Sequence, residues 1–185
     1  MGSTSAKGPP AIPLPTEGEL SPEIRKTLGL LPPLNAFRMM ARAPANFQAF
    51  VDLAVSVLIK SEFDARKREI AVLRVAHRAG SRYVWTQHVT VGKRTGLSDE
   101  EIANIAADGA VTSLDEEGNL LCRVADEITC DARLSDEALE AIRARYGERQ
   151  ATELILCCSY FNMLARFLES TRVELEDEPI LEKMD

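Results

Sequence analysis

Glu69 and His88 are the residues of this sequence whose types and surroundings best suit proton-transfer chemistry. At 100° per residue, Glu69 stands about 140° to 180° round the helical wheel from Lys67, Arg74 and Arg78, which read as a solvated stripe. Glu69 therefore faces inward, with Val72, Leu73 and Ala76 as its i+3, i+4 and i+7 neighbours. Burial there disfavours the charged carboxylate unless a cation compensates, and a carboxyl so placed can trade protons near neutral pH. A glutamate that only pairs with a buried arginine or caps a loop fits the same position.

Across Gly80, residues Ser81, Val84, Trp85 and His88 fall at offsets 0, 3, 4 and 7 of the next helix and share one face. If the two helices form an antiparallel hairpin, Glu69 lies roughly 16 Å before the turn and His88 roughly 12 Å after it, so they meet at similar depth. His88 is then the candidate base, with the Tyr83 phenol and the Ser81 hydroxyl as further proton carriers. Val84 and Trp85 would line the substrate site with apolar and aromatic surface, suiting a larger unsaturated or aromatic ring. Gly92, one turn beyond His88, leaves room beside the imidazole for a ligand or another backbone. A core histidine, a packed tryptophan and helix-start Ser and Tyr are the structural alternatives.

Weaker candidates are His77, Arg38 with Arg42, and Asn162 with Arg166. Two histidines eleven residues apart on different helices make no dependable metal site, and the chemistry requires no cofactor. Cys122, Cys130, Cys157 and Cys158 show neither C-x-x-C nor paired ligand spacing and read as reduced core thiols.

These residues must be positioned by helices. After Pro44 the only proline is Pro179, and apolar residues recur at three and four. Pro44 opens a helix to about Lys60, Asp64 caps a second that ends at Gly80, and a third covers about Arg82 to Thr95 before Gly96. Ser98-x-x-Glu101 is a capping box opening a fourth. Further helices fall near Asp115–Cys130, Ser135–Tyr146 and Glu148–Glu174. The pattern predicts an all-α bundle of six or seven helices over residues 34–185, preceded by a Pro-rich, extended arm over 1–33.

The 185 residues fit one such domain, and 45% hydrophobic content supports a packed core. Twenty-two basic against 29 acidic residues give a net charge of −7, which argues against a nucleic-acid partner. No apolar run is long enough for a transmembrane helix, and the N-terminus lacks a secretion signal, so no membrane partner and a cytoplasmic location are expected.

Three stretches then carry a family pattern. Arg68-Glu69-x-x-x-Leu73-x-Val75-Ala76, Ser81-x-Tyr83-x-Trp85-x-x-His88 and Tyr160-Phe161-Asn162-Met163-Leu164-Ala165-Arg166-Phe167 together resemble the carboxymuconolactone decarboxylase family, which includes AhpD-like alkylhydroperoxidases. The resemblance covers about residues 33 to 177. It implies an AhpD-like fold assembled as a homo-oligomer, a trimer or hexamer, with the site near subunit contacts. It carries the family's relay glutamate onto Glu69 and its histidine onto His88. The two redox cysteines of the peroxidatic branch fall on Ser81 and Val84, so thiol peroxidase chemistry has no nucleophile there. In the decarboxylase-like branch the second position is commonly glutamate, and here it is Val84. Residues and resemblance together point to a cofactor-independent lyase, decarboxylase-like, or an isomerase. It would act by proton transfer on a small-molecule substrate: a small cyclic organic acid, lactone or polyketide-like ring, of the kind met in secondary metabolism. The alternative is a non-catalytic binding or assembly protein that retains the fold.

Overall fold

A computed structural model describes residues 12–177 and 180–181. Among the described residues every regular element is helical: α1 (Pro22–Leu28), α2 (Asn35–Met40), α3 (Pro44–Val55), α4 (Ala65–Arg78), α5 (Arg82–Arg94), α6 (Asp99–Ile105), α7 (Glu116–Cys130) and α8 (Asp136–Thr171). Local chemistry starts and stops them as the sequence predicts. Asp64 accepts from the Lys67 N–H at 2.9 Å, Ser98 and Glu101 form a reciprocal capping box, and Asp115 accepts from the Gly118 N–H at 2.7 Å. Gly80 takes φ +67° and turns the chain from α4 into α5, a conformation costly for any side chain. Gly147, at φ +72°, breaks α8 where two helices were predicted.

The fold is organised around α4, which is buried continuously from Arg68 to Ala76 because α5, α7 and α8 all pack against it. This enclosure corrects the reading of Arg74 as solvated. Its side chain is 0% exposed, and all its nitrogens are engaged. Nε and Nη2 hold Asp126 at 2.6 and 2.8 Å, while Nη1 donates to the carbonyls of Ile105 and Ala107 and Nη2 to that of Gly109. A wheel reports only angle on one helix; the carbonyls that make Arg74 tolerable in a core come from the last residue of α6 and the loop after it.

The N-terminal region also differs from the expected arm. Residues 1–11 lie outside the described residues, but from Ile12 onward the segment is folded onto the body. Ser21 caps α1 and Pro22 occupies its first turn, a start signal that composition alone disguises as extended chain. Ile24 joins the core, and Arg42 holds the Pro13 and Leu14 carbonyls at 2.9 and 3.2 Å. Continuing α3, Ser56–Lys60 widens into a π-helical turn before Ser61. No helix among the described residues is long and apolar enough to cross a membrane.

Candidate active site

Between α4, α5 and α8 lies a cavity of about 270 Å³. Its walls are apolar: Phe37 of α2, Phe50 of α3, Leu58 of the π-helical turn, Val84 of α5, and Phe161 and Leu164 of α8. That volume sits just under the roughly 300–1,000 Å³ of drug-sized ligand sites, so it suits one small ring rather than a cofactor. Arg68, Glu69, Tyr83, Gln87 and His88 bring polar groups into it.

The α4–α5 hairpin brings Glu69 and His88 together. His88 Nδ1 lies 2.7 Å from Glu69 Oε2, with the carboxyl 0% exposed and the imidazole 13% exposed. With Glu69 ionised its oxygen can only accept, and Nδ1 then carries the proton of this hydrogen bond. Nε2 has no hydrogen-bond partner among the described residues, and its ring lines the cavity. Phe161 meets the imidazole edge to face, centroids 4.7 Å apart and planes at 85°, which fixes the ring's tilt. The cation expected beside Glu69 is Arg68, whose Nε is 3.6 Å from Oε1. That separation is too long for a hydrogen bond, and both atoms are buried without a partner.

Tyr83 reaches the cavity wall, but its hydroxyl is committed elsewhere. It donates to Glu176 Oε1 at 2.6 Å and accepts from the Ala36 N–H at 3.1 Å. Burial, reinforced by the hydrogen bond to Glu176, pushes this phenol well above its ordinary range. Glu176 also accepts from Gln87 Nε2 and from the Asn35 N–H, both at 2.5 Å. One carboxylate from the C-terminal tail thus ties α2 to α5 across the cavity's rim, and Leu181 of the same tail lines the cavity. No sequence signal singles out Glu176, one of several acids in a tail that reads as solvated.

Ser81, Trp85 and Gly92 do not line the cavity. Tyr83, Val84, Gln87, His88 and Val91 do, and their arc on α5 is centred about 70° to 90° round from the stripe drawn through His88. His88 therefore sits at one edge of the cavity face, and Trp85 and Gly92 lie beyond that edge. Trp85 instead packs near His77, centroids 6.0 Å apart. A side chain at Gly92 would press on Leu97 Cδ1 at 3.1 Å and Leu73 Cδ1 at 3.3 Å, so this glycine serves close helix approach. Ser81 is the cap of α5, 1% exposed, its hydroxyl accepting from the Val84 N–H at 3.4 Å. Asn162 donates to Thr129 Oγ1 at 2.9 Å and Arg166 donates to Asn162, which ties α8 to α7 away from the cavity.

Three cysteines are core thiols as predicted. Burial pushes Cys122 and Cys158 up to about 12 and Cys157 well above its usual value. Cys130 departs from the prediction: it is exposed at the end of α7, where Arg78 donates to its sulfur at 3.3 Å.

Comparison with known proteins matches residues 44–127 to the carboxymuconolactone decarboxylase family. No curated protein matches the chain. Among solved structures, an uncharacterized peroxidase-related protein from Silicibacter sp. TM1040 is similar at a TM-score of 0.79 and 18% identity, covering 99% of each chain. A second, from Ralstonia eutropha JMP134 and described as an alkylhydroperoxidase AhpD core, gives 0.80 at 16% identity over 95% of this chain and 97% of that one. A protein of unknown function from Agrobacterium tumefaciens gives 0.66 at 22% identity over 73% and 93%. At these identities the likeness establishes the fold.

Proposed function

Residues 44–127 match the carboxymuconolactone decarboxylase family, and from that premise we propose a cofactor-independent lyase or isomerase that moves a proton on a small cyclic organic acid, lactone or polyketide-like ring. One observation carries the reading: the 2.7 Å contact between His88 Nδ1 and Glu69 Oε2 on the wall of an apolar cavity. Glu69 holds the imidazole with Nδ1 protonated, which leaves the Nε2 lone pair as base. In an isomerisation Nε2 takes a proton from a carbon next to a carbonyl, and the C–H electron pair enters the conjugated system as an enolate. Glu69 balances the imidazolium, and Nε2–H then returns the proton to a different carbon. In a decarboxylation the C–C pair stays on the ring as carbon dioxide leaves, and an imidazolium Nε2–H protonates that carbon. Apolar walls keep water from competing for the carbanion.

The family also holds thiol peroxidases, and two of the structural relatives bear peroxidase-related names. That chemistry finds no support here, because Ser81 and Val84 stand at the redox positions and three of the four thiols are buried in their neutral form. The buried Val84, 2% exposed, favours a second reading in which the fold binds a small molecule without turning it over.

The two readings separate in deuterated water, by following turnover and deuterium incorporation across a panel of unsaturated cyclic acids and lactones. His88→Gln should slow the reaction about 100-fold or more, whereas Glu69→Gln should cost less and change the pH–rate profile. If His88→Gln matches the parent in rate and profile, with circular dichroism unchanged, the imidazole is a packing residue and the enzyme reading fails.

A further inference from the structure

Two arginines of α4 are buried, and they are treated differently. Arg74 donates to two carboxylate oxygens and three backbone carbonyls, which is how a structural arginine is accommodated in this core. Arg68 lies six residues earlier, its side chain only 10% exposed, and its guanidinium makes no hydrogen bond to any described residue. Its Nε is completely covered and unpartnered, although a guanidinium carries five N–H donors. Its charged neighbour, Glu69, stands 3.6 Å away and spends its other oxygen on His88. Cys157 on α8 supplies no second anion, since burial keeps that thiol protonated. A covered Nε–H with no partner among the described residues, in a core that satisfies its other arginine, suits a partner bound in the adjoining cavity. Arg68 lines the same cavity as His88, so that partner arrives there.

We propose that Arg68 is the recognition group for a carboxylate borne on an otherwise apolar ring, making this cavity a site for small cyclic monocarboxylates. The assignment rests on the cavity being the substrate site of the proposed function. The planar fork of the guanidinium matches a carboxylate in two parallel hydrogen bonds, and the apolar walls accept the rest of a ring but no second charge. Glu69 bridges the two ends of the site: Oε1 faces Arg68 and Oε2 holds His88, so a ring anchored at Arg68 extends its neighbouring carbons toward Nε2. An arginine-bound carboxylate is also stabilised in its charged form. Its loss as carbon dioxide would forfeit that ion pair, so in this binding mode the proton moves at another carbon while the anchoring carboxylate stays on the ring.

Binding of benzoate and of its uncharged isostere benzamide, by calorimetry on the full chain at neutral pH, tests this without any turnover. The parent should bind benzoate about tenfold or more tightly than benzamide. Arg68→Met should abolish that preference while leaving benzamide binding in place, and Arg68→Lys should restore part of it. Parallel nitrogen-15 spectra should show the Arg68 Nε–H resonance moving with benzoate only. Equal binding of the two probes, binding of neither, or a benzoate preference that survives in Arg68→Met overturns the assignment. Should Arg68→Met fail to fold, the parent's benzoate-to-benzamide ratio and the Nε–H shift decide it alone. Since no reaction is monitored, this result and that of His88→Gln are independent.

Discussion

Removing one oxygen from Tyr83 separates a structural phenol from a catalytic one. In Tyr83→Phe the buried Ala36 N–H loses its acceptor, which costs about 1–3 kcal/mol, because a covered amide cannot recruit water. Glu176 loses a 2.6 Å phenol donor but keeps Gln87 and the Asn35 N–H, and being half-buried it regains water, so about 1 kcal/mol suffices there. The sum, about 2–4 kcal/mol, translates into a melting temperature lower by roughly 5–15 °C for a chain of this size. Urea unfolding followed by circular dichroism reads the first quantity, and hydrogen exchange over residues 173–177 reads loosening of the tail. The partnership has its own signature: Tyr83→Phe and Glu176→Gln should fall short of additivity by about 0.5–2 kcal/mol. Turnover should fall only as far as the rim is disordered. A Tyr83→Phe variant within 0.5 kcal/mol of the parent but with no activity would refute this account and return the phenol to the chemistry.

Replacing all four cysteines by Ala should leave turnover on the natural substrate within a few-fold of the parent, after correction for stability; complete loss in any one variant would restore thiol chemistry. Gly92→Ala should cost about 1–2 kcal/mol in urea unfolding, because Leu97 and Leu73 must give way, yet leave benzoate affinity unchanged. Affinity that falls while stability holds would put Gly92 in the site after all. Alkali should unfold the protein steeply. Cys122, Cys157 and Cys158 hold their protons in the folded state beyond the ordinary thiol value of about 8.5, so their contribution is complete below that pH and is lost as pH rises through the raised folded values, about 12 for Cys122 and Cys158. Three thiols together give a slope of about 4 kcal/mol per pH unit, and a urea midpoint that stays flat from pH 8.5 to 11 would contradict their burial.

The Glu69–His88 contact was legible because a single glycine turn sets the register of an antiparallel helix pair, and register plus 1.5 Å per residue fixes depth. Helix boundaries were legible for the same local reason: Asp64, Ser98, Gly80 and Gly147 act on their immediate neighbours. Azimuth was harder. The stripe through Ser81, Trp85 and Gly92 is a true face of α5, but which arc faces a cavity depends on where α8 and α2 dock, and no residue of α5 encodes that. Arg68 and Arg74 look alike in sequence, and what distinguishes them is Asp126 of α7 together with the carbonyls at the end of α6 and just beyond it. Glu176 acts on residues 89 to 141 positions away, beyond any periodicity.

That last separation has a consequence for synthesis. The rim is sewn from Asn35 near one end of the sequence and Glu176 near the other, while Glu69, His88 and Arg68 come from the middle. On a ribosome the α4–α5 hairpin can pair as soon as it emerges, but its cavity lacks the α8 wall and the tail until residues beyond α8 have been made. Until then Phe37, Phe50 and the paired carboxyl and imidazole face water or a chaperone. Closing a loop of this length is slow relative to local helix pairing, so ligand-binding competence should follow pairing of the hairpin and wait for α8 and Glu176 to dock.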